Sequence, residues 1–86
     1  MYTVSNDVRS THSQDGGVVL DIRRGQMFNL NLVGSRILEL LKSGAAEADI
    51  AQTISGEFDV SHGLVETDVR EFITTLEKHG LIERHG

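Results

Sequence analysis

With 86 residues, 38% of them hydrophobic and 24% charged, the chain has the composition of a folded soluble protein with one modest core. Thirteen acidic residues against eight basic ones leave a formal charge of −5, and the basic residues are scattered from Arg9 to Arg84, a poor match to a phosphate backbone. No apolar run approaches the ~20 residues of a membrane helix, the start lacks the basic-then-apolar pattern of a signal peptide, and the absence of cysteine excludes disulfides, thiolate chemistry and cysteine-held zinc. These features predict a cytoplasmic protein with no membrane or nucleic-acid partner, folded as a single domain over residues 1–86 with an ordered core from about 8 to 83.

Taken in chain order, residues 1–7 read as a loosely attached start. Val8–Ser13 alternates weakly and is the first predicted strand. Gln14–Gly17 is a turn, Val18–Ile22 a strand rich in β-branched residues, Arg23–Gly25 a second turn and Gln26–Leu30 a third strand. Gly16, Gly17 and Gly25 supply the positive backbone dihedrals that tight hairpins demand. The result is an antiparallel three-stranded meander. Everything beyond it has helical spacing, so the sheet stays small and keeps an open edge, a natural dock for an extended peptide.

Asn31 is placed as an N-cap for a helix over Leu32–Lys42, with Val33, Ile37, Leu40 and Leu41 at helical spacing. Ser43-Gly44 stops it. Ala46 to about Ile54 forms a short second helix, with Ile50 and Ile54 four apart. Residues 55–60 form a connector whose Phe58 and Val60 plug the core. Ser61 or Asp59 caps the third and longest helix, in which Val65, Val69, Phe72, Ile73 and Leu76 form a stripe. Gly80 ends that helix, and Leu81-Ile82 folds back as an apolar tail. The class is α+β: three strands, then three helices, the last two arranged as a helix-turn-helix.

Three segments carry a family pattern: Gly16-Gly17-Val18-Val19-Leu20-Asp21; then Gly25 with Phe28-Asn29-Leu30-Asn31-Leu32-Val33-Gly34, Ile37 and Leu40-Leu41; then Asp68-Val69, Phe72, Leu76 and Gly80-Leu81-Ile82. In this order and spacing, from about residue 8 to 83, they resemble PqqD-like proteins. These are the precursor-peptide recognition elements of ribosomally made, post-translationally modified peptides. The resemblance implies a winged-helix-like domain that catalyses nothing and needs no cofactor. It binds the leader segment of a precursor peptide, which adds as a strand to the third strand and packs against the third helix. The leader is then presented to a separate enzyme: a leader protease, a cyclase or a radical-SAM enzyme. A free-standing chain of this length is most similar to the discrete members of lasso-peptide pathways. One departure stands out. The family often carries a Thr or Ser cap ahead of the second helix, where this chain has Gly44-Ala45-Ala46-Glu47.

The candidate peptide-binding residues are Gln26, Met27, Phe28, Asn29 and Leu30 on the third predicted strand, and Leu64, Asp68, Val69, Glu71, Phe72 and Thr75 on the third helix. Alternation puts Phe28 and Leu30 on one face of the strand and Met27 and Asn29 on the other, where they would flank a bound peptide. Core packing alone accounts for most of the helical stripe. A leader contact at Asp68 follows from the family's Asp-Val pair. Arg23 and Arg24 read as solvated turn residues. The four histidines fall in four different segments, and Asp59, His62 and Glu66 are spaced too loosely to predict a metal site. No segment reads as a strained nucleophile turn or a base with its orienting partner. The rival function is winged-helix DNA binding, with the third helix in the recognition position. Residues 63–79 carry four carboxylates against two cations, which opposes it.

Overall fold

The structure of the protein, a computed structural model, describes residues 2–85. Its elements are β1 (Tyr2–Val4), β2 (Val8–Ser13), β3 (Gly16–Asp21), β4 (Gln26–Leu30), α1 (Leu32–Lys42), α2 (Glu47–Phe58), α3 (His62–Lys78) and β5 (Ile82–Arg84). The predicted meander is β2-β3-β4, all antiparallel, with β4 at one edge. Its inner face contributes Val19 to the core. There it meets Ile37, Leu38 and Leu41 of α1, Ile50, Ala51 and Ile54 of α2, and Val65, Val69, Ile73 and Leu76 of α3.

Of residues 1–7, expected to be loosely attached, Met1 lies outside the described residues, and the remainder holds β1, which pairs antiparallel with β5 from Tyr2↔Arg84 to Val4↔Ile82. The apolar tail is therefore a strand. Tyr2 is 6% exposed, with the Arg84 guanidinium 5.3 Å from its ring centroid. The Ser5 amide continues the junction by donating to the Leu81 carbonyl at 3.0 Å. Burial of Tyr2, Leu81 and Ile82 supplies the apolar area that holds so short a ladder together.

The first helix begins as predicted: Asn31 Oδ1 accepts from the Gly34 amide at 2.7 Å. The second runs to Phe58, absorbing most of the expected connector, and ends because Asp59 turns left-handed at φ 52°. Its N-terminus has no side-chain cap at Ala46. Glu47 and Asp49 in the first turn instead complement the helix dipole. Asp59 thus terminates α2 and does not cap α3, and Ser61, in the N-cap position of α3, makes no side-chain cap bond. Phe58 packs against the core as expected, whereas Val60 is 41% exposed.

Gly17 does not take a positive φ; Gly16, Gly25, Gly44 and Gly80 do. Gly17 is glycine because α1 crosses directly beneath it: an added Cβ would overlap the Thr11 carbonyl oxygen and lie 2.7 Å from Ser35 Oγ. Ser35 itself is buried and shares a 2.6 Å hydrogen bond with His12 Nδ1. His12 Nε2 faces Ser10 Oγ at 3.3 Å, and Lys42 Nζ donates to Ser10 Oγ at 2.8 Å. This polar chain, which the sequence did not reveal, ties β2 to α1. Ser35 is 3% exposed, and its contact with His12 fastens α1 to β2.

Candidate functional site

The site begins with an unfinished sheet. β3 pairs with one side of β4, from Gly17↔Leu30 to Asp21↔Gln26, and among the described residues no strand pairs with the other side. In an antiparallel strand every second residue turns both its amide and its carbonyl to the same side. Alternate residues of Gln26–Leu30 therefore offer unpaired donors and acceptors along an edge.

Facing that edge is α3, and the chemistry of the helix changes around its circumference. Val65, Val69, Ile73 and Leu76 are buried. On the adjoining face Leu64 is 65% exposed, and Asp68, Glu71 and Thr75 are exposed as well. Between the edge and this face lies a cavity of about 400 Å³. Leu30, Val33, Ile37 and Phe72 make its floor apolar, and Asn29, Asn31 and Asp68 make its rim polar. An apolar hollow with a few polar groups at its mouth, beside an open strand edge, suits an extended peptide that buries one large side chain. Larger hollows of about 560 and 780 Å³ flank the β1–β5 pair, and neither borders β4.

Gly34 keeps the cavity open. A Cβ there would sit 3.2 Å from Asn31 Oδ1 and 3.4 Å from Phe72 Cζ, so a side chain would press on both the helix cap and the wall of α3. Gly34 sits in the first turn of α1. Its close neighbour across the fold is Phe72.

Of the residues predicted to bind peptide, the cavity brings together Asn29, Leu30, Asp68 and Phe72. Phe28 faces inward, its ring centroid 5.2 Å from that of His79. Gln26 is exposed at the start of the edge. Met27, 65% exposed, joins Val18 and Leu20 over an apolar depression of about 230 Å³ on the outer face of the sheet, away from the cavity. Leu64, Glu71 and Thr75 lie on the exposed flank of α3 outside the lining, Thr75 Oγ1 donating to the Glu71 carbonyl at 3.0 Å. Val69, at 0% exposure, is a core residue outside the cavity lining, and it serves to seat α3. The lining residues absent from the predicted set are Asn31, Val33, Gly34 and Ile37. Three of them were legible, because Asn31-x-x-Gly34-x-x-Ile37 repeats every third residue and so falls along one side of the helix.

No basic side chain lines the cavity. Among the described residues no group of three metal-ligating side chains is arranged to hold an ion; His62 Nδ1 lies 3.6 Å from Glu66 Oε2 on the exposed start of α3. Among the same residues no helix is long and apolar enough to cross a membrane.

Comparison with known families decides the relationship. The profile of Coenzyme PQQ synthesis protein D (PqqD) matches residues 16–82, from β3 to the start of β5. The chain belongs to the PqqD family. No curated protein matches this PqqD-family chain. Two solved structures do. TbiB1 in complex with the TbiA(beta) leader peptide is 36% identical over 98% of both chains, with a TM-score of 0.88. Lasso peptide synthetase B1 complexed with the leader peptide is 26% identical over 96% of this chain and 98% of that one, with a TM-score of 0.85. Both alignments run well beyond the family profile and share the α+β architecture of three antiparallel strands and three helices.

Proposed function

We propose that this chain is a non-catalytic binding module for the leader segment of a ribosomal precursor peptide, acting in lasso-peptide biosynthesis. The leader adds as a strand to β4, beside α3, and seats a side chain in the Leu30–Val33–Ile37–Phe72 hollow. Gln26–Leu30 supply the main-chain partners, and Asn29 and Asp68 make the polar contacts, with Leu64, Glu71 and Thr75 along the exposed flank. The bound leader is handed to a separate enzyme in the cytoplasm, a leader protease or a cyclase, with radical-SAM enzymes as the alternative clients. The observation that carries this reading is the open β4 edge facing α3 across an apolar cavity. The two leader-peptide complexes among its structural relatives support it.

The test is fluorescence polarisation with labelled leader peptides from precursors encoded beside the gene. A Kd in the low micromolar range, about −8 kcal/mol, is what one added strand and one filled hollow are expected to give. Tight binding to duplex DNA with no binding to any leader would overturn the proposal. Hydrogen exchange with and without peptide then reads the mode. Alternate amides of residues 26–30 should gain protection, and Asn29→Pro should weaken binding if that amide points outward or disturb the sheet if it points inward. Protection confined to the helices would replace strand addition with a helix lying in the groove.

A further inference from the structure

The turn between β3 and β4 reaches α3 through a residue that is not part of the groove lining. Arg24 Nη1 donates to the carbonyl of His79, the C-cap residue of α3, at 2.7 Å. Carbonyls at a helix C-terminus lack intrahelical partners and sit at the negative end of the dipole, so a guanidinium is held there by charge as well as by hydrogen bonding. Arg24 is also held from behind. Its backbone amide donates to Asp21 Oδ1 at 3.3 Å, and its Nε lies 3.9 Å from Asp21 Oδ2. Asp21 is only 5% exposed, a carboxylate that burial would penalise without a cation close by.

Two further contacts belong to the same junction. Gly80, at φ 71°, leaves room for the guanidinium, since a Cβ there would come within 3.1 Å of Arg24 Nη2. Phe28 of β4 and His79 meet ring to ring at 5.2 Å and 51°. Among the described residues the Arg24–His79 bond is the one hydrogen bond between the β3–β4 hairpin and α3. At the opposite end of the groove, Asn29 and Asp68 border open cavity.

We propose that Arg24 is a positioning residue for peptide recognition: it pins the hairpin that carries β4 to the end of α3, and so fixes how wide the groove stands at its Gln26 end. The inference rests on the leader-binding reading above. A strand that enters between β4 and α3 needs edge and helix at a set separation. If the hairpin is free to swing, binding must first restore that separation, and the restoration appears as lost affinity.

The test uses the full chain and, as probe, the fluorescein-labelled leader peptide of the precursor encoded beside its gene. Arg24→Gln is expected to weaken binding about tenfold, because the groove is no longer preorganised. Arg24→Lys keeps a cation for the His79 carbonyl and should stay within about threefold of the parent. The double variant Asp21→Asn/Arg24→Gln removes both charges together, so an unpaired buried carboxylate cannot account for its loss. It should match Arg24→Gln. Proton NMR supplies a readout that general destabilisation does not mimic. The Phe28–His79 ring contact should weaken in both glutamine variants and return with lysine, while the Val19 and Leu76 methyl signals stay in place. If the parent binds and the glutamine variants bind equally well, the inference is overturned. It is also overturned if affinity falls together with displaced core methyls and lysine gives no rescue. If the parent itself binds no leader, the leader-binding reading falls and takes this inference with it.

Discussion

The two sides of α3 solve opposite problems. Toward α2 and the sheet, Val65, Val69, Ile73 and Leu76 are buried and the interface is finished. Toward β4, the helix presents Asp68 and Phe72 to a hollow of about 400 Å³ that the chain leaves unfilled, with Leu64 and Thr75 exposed on the flank outside it. Both sides are built from the same seventeen-residue helix, and Phe72, half-buried, marks the border between them. Residues on the sealed side answer to stability. Those on the open side are expected to leave the fold intact and to answer to whatever occupies the groove.

That division can be broken most severely from the sealed side. Ile73→Ala leaves a cavity in the core and should cost about 2–5 kcal/mol, seen as a lower urea midpoint. Molecules that remain folded should bind peptide as before. A change in affinity per folded molecule would mean that the two sides are coupled. At the border, Gly34→Val should cost about 1–3 kcal/mol by crowding Phe72 and the Asn31 cap, and should abolish peptide binding as well. A variant that melts normally and still binds would show that the groove has slack there. On the open side, Asp68→Ala should keep its melting behaviour to within about 0.5 kcal/mol. The lost polar contact should weaken peptide binding by about 1–3 kcal/mol. Unchanged binding would reduce Asp68 to a bystander.

The smallest expected effect lies outside both sides, in the clasp between α1 and α2. Arg36 donates from Nε and Nη2 to the two Glu57 oxygens, each at 2.8 Å. The hydrogen bonds from Arg36 hold the Glu57 carboxyl below its ordinary value. A folded-state value held down means that the pair stabilises fully above the ordinary carboxylate range and fades as pH falls through the folded value. Because both partners are partly exposed, Glu57→Gln should cost only about 0.2–1 kcal/mol at pH ~7 and less near pH ~2. Thermal melts at both values check the sign, and an equal difference at both would assign the effect to shape and not to charge.

What the residues made legible was whatever local pattern controls. The three-stranded meander, the Asn31 cap and the stripe of α3 each follow from neighbours within a few positions. The open edge followed too, because nothing after Leu30 has strand spacing. The β1–β5 pair was hidden because Tyr2 and Arg84 are partners from opposite ends of the chain, and neither segment alternates strongly enough to announce a strand. Helix α2 overran its expected end because Gly56 and Ser55, weak helix formers, are overruled once Phe58 can pack on the core. Half of the cavity lining was missed for a different reason. Asn31, Gly34 and Ile37 were read as a cap, a piece of the family pattern and a member of the helical stripe, each sufficient alone. Only the fold shows them meeting Asp68 and Phe72 in one place. Arg24 was read as solvated because its partner, the His79 carbonyl, is a backbone atom that no side-chain pattern can reveal.

The pairing of Tyr2 with Arg84 carries a consequence for architecture. It brings the first and last described strands together at a single seam, so that the path of the chain leaves and returns at one corner. A unit with its entry and exit side by side can be spliced into a surface turn of another protein, or joined to one at either end, without being pulled open. The β4 edge belongs to the other sheet and takes no part in this seam. The fold is thus a cassette, suited to travel alone or as a graft on another protein.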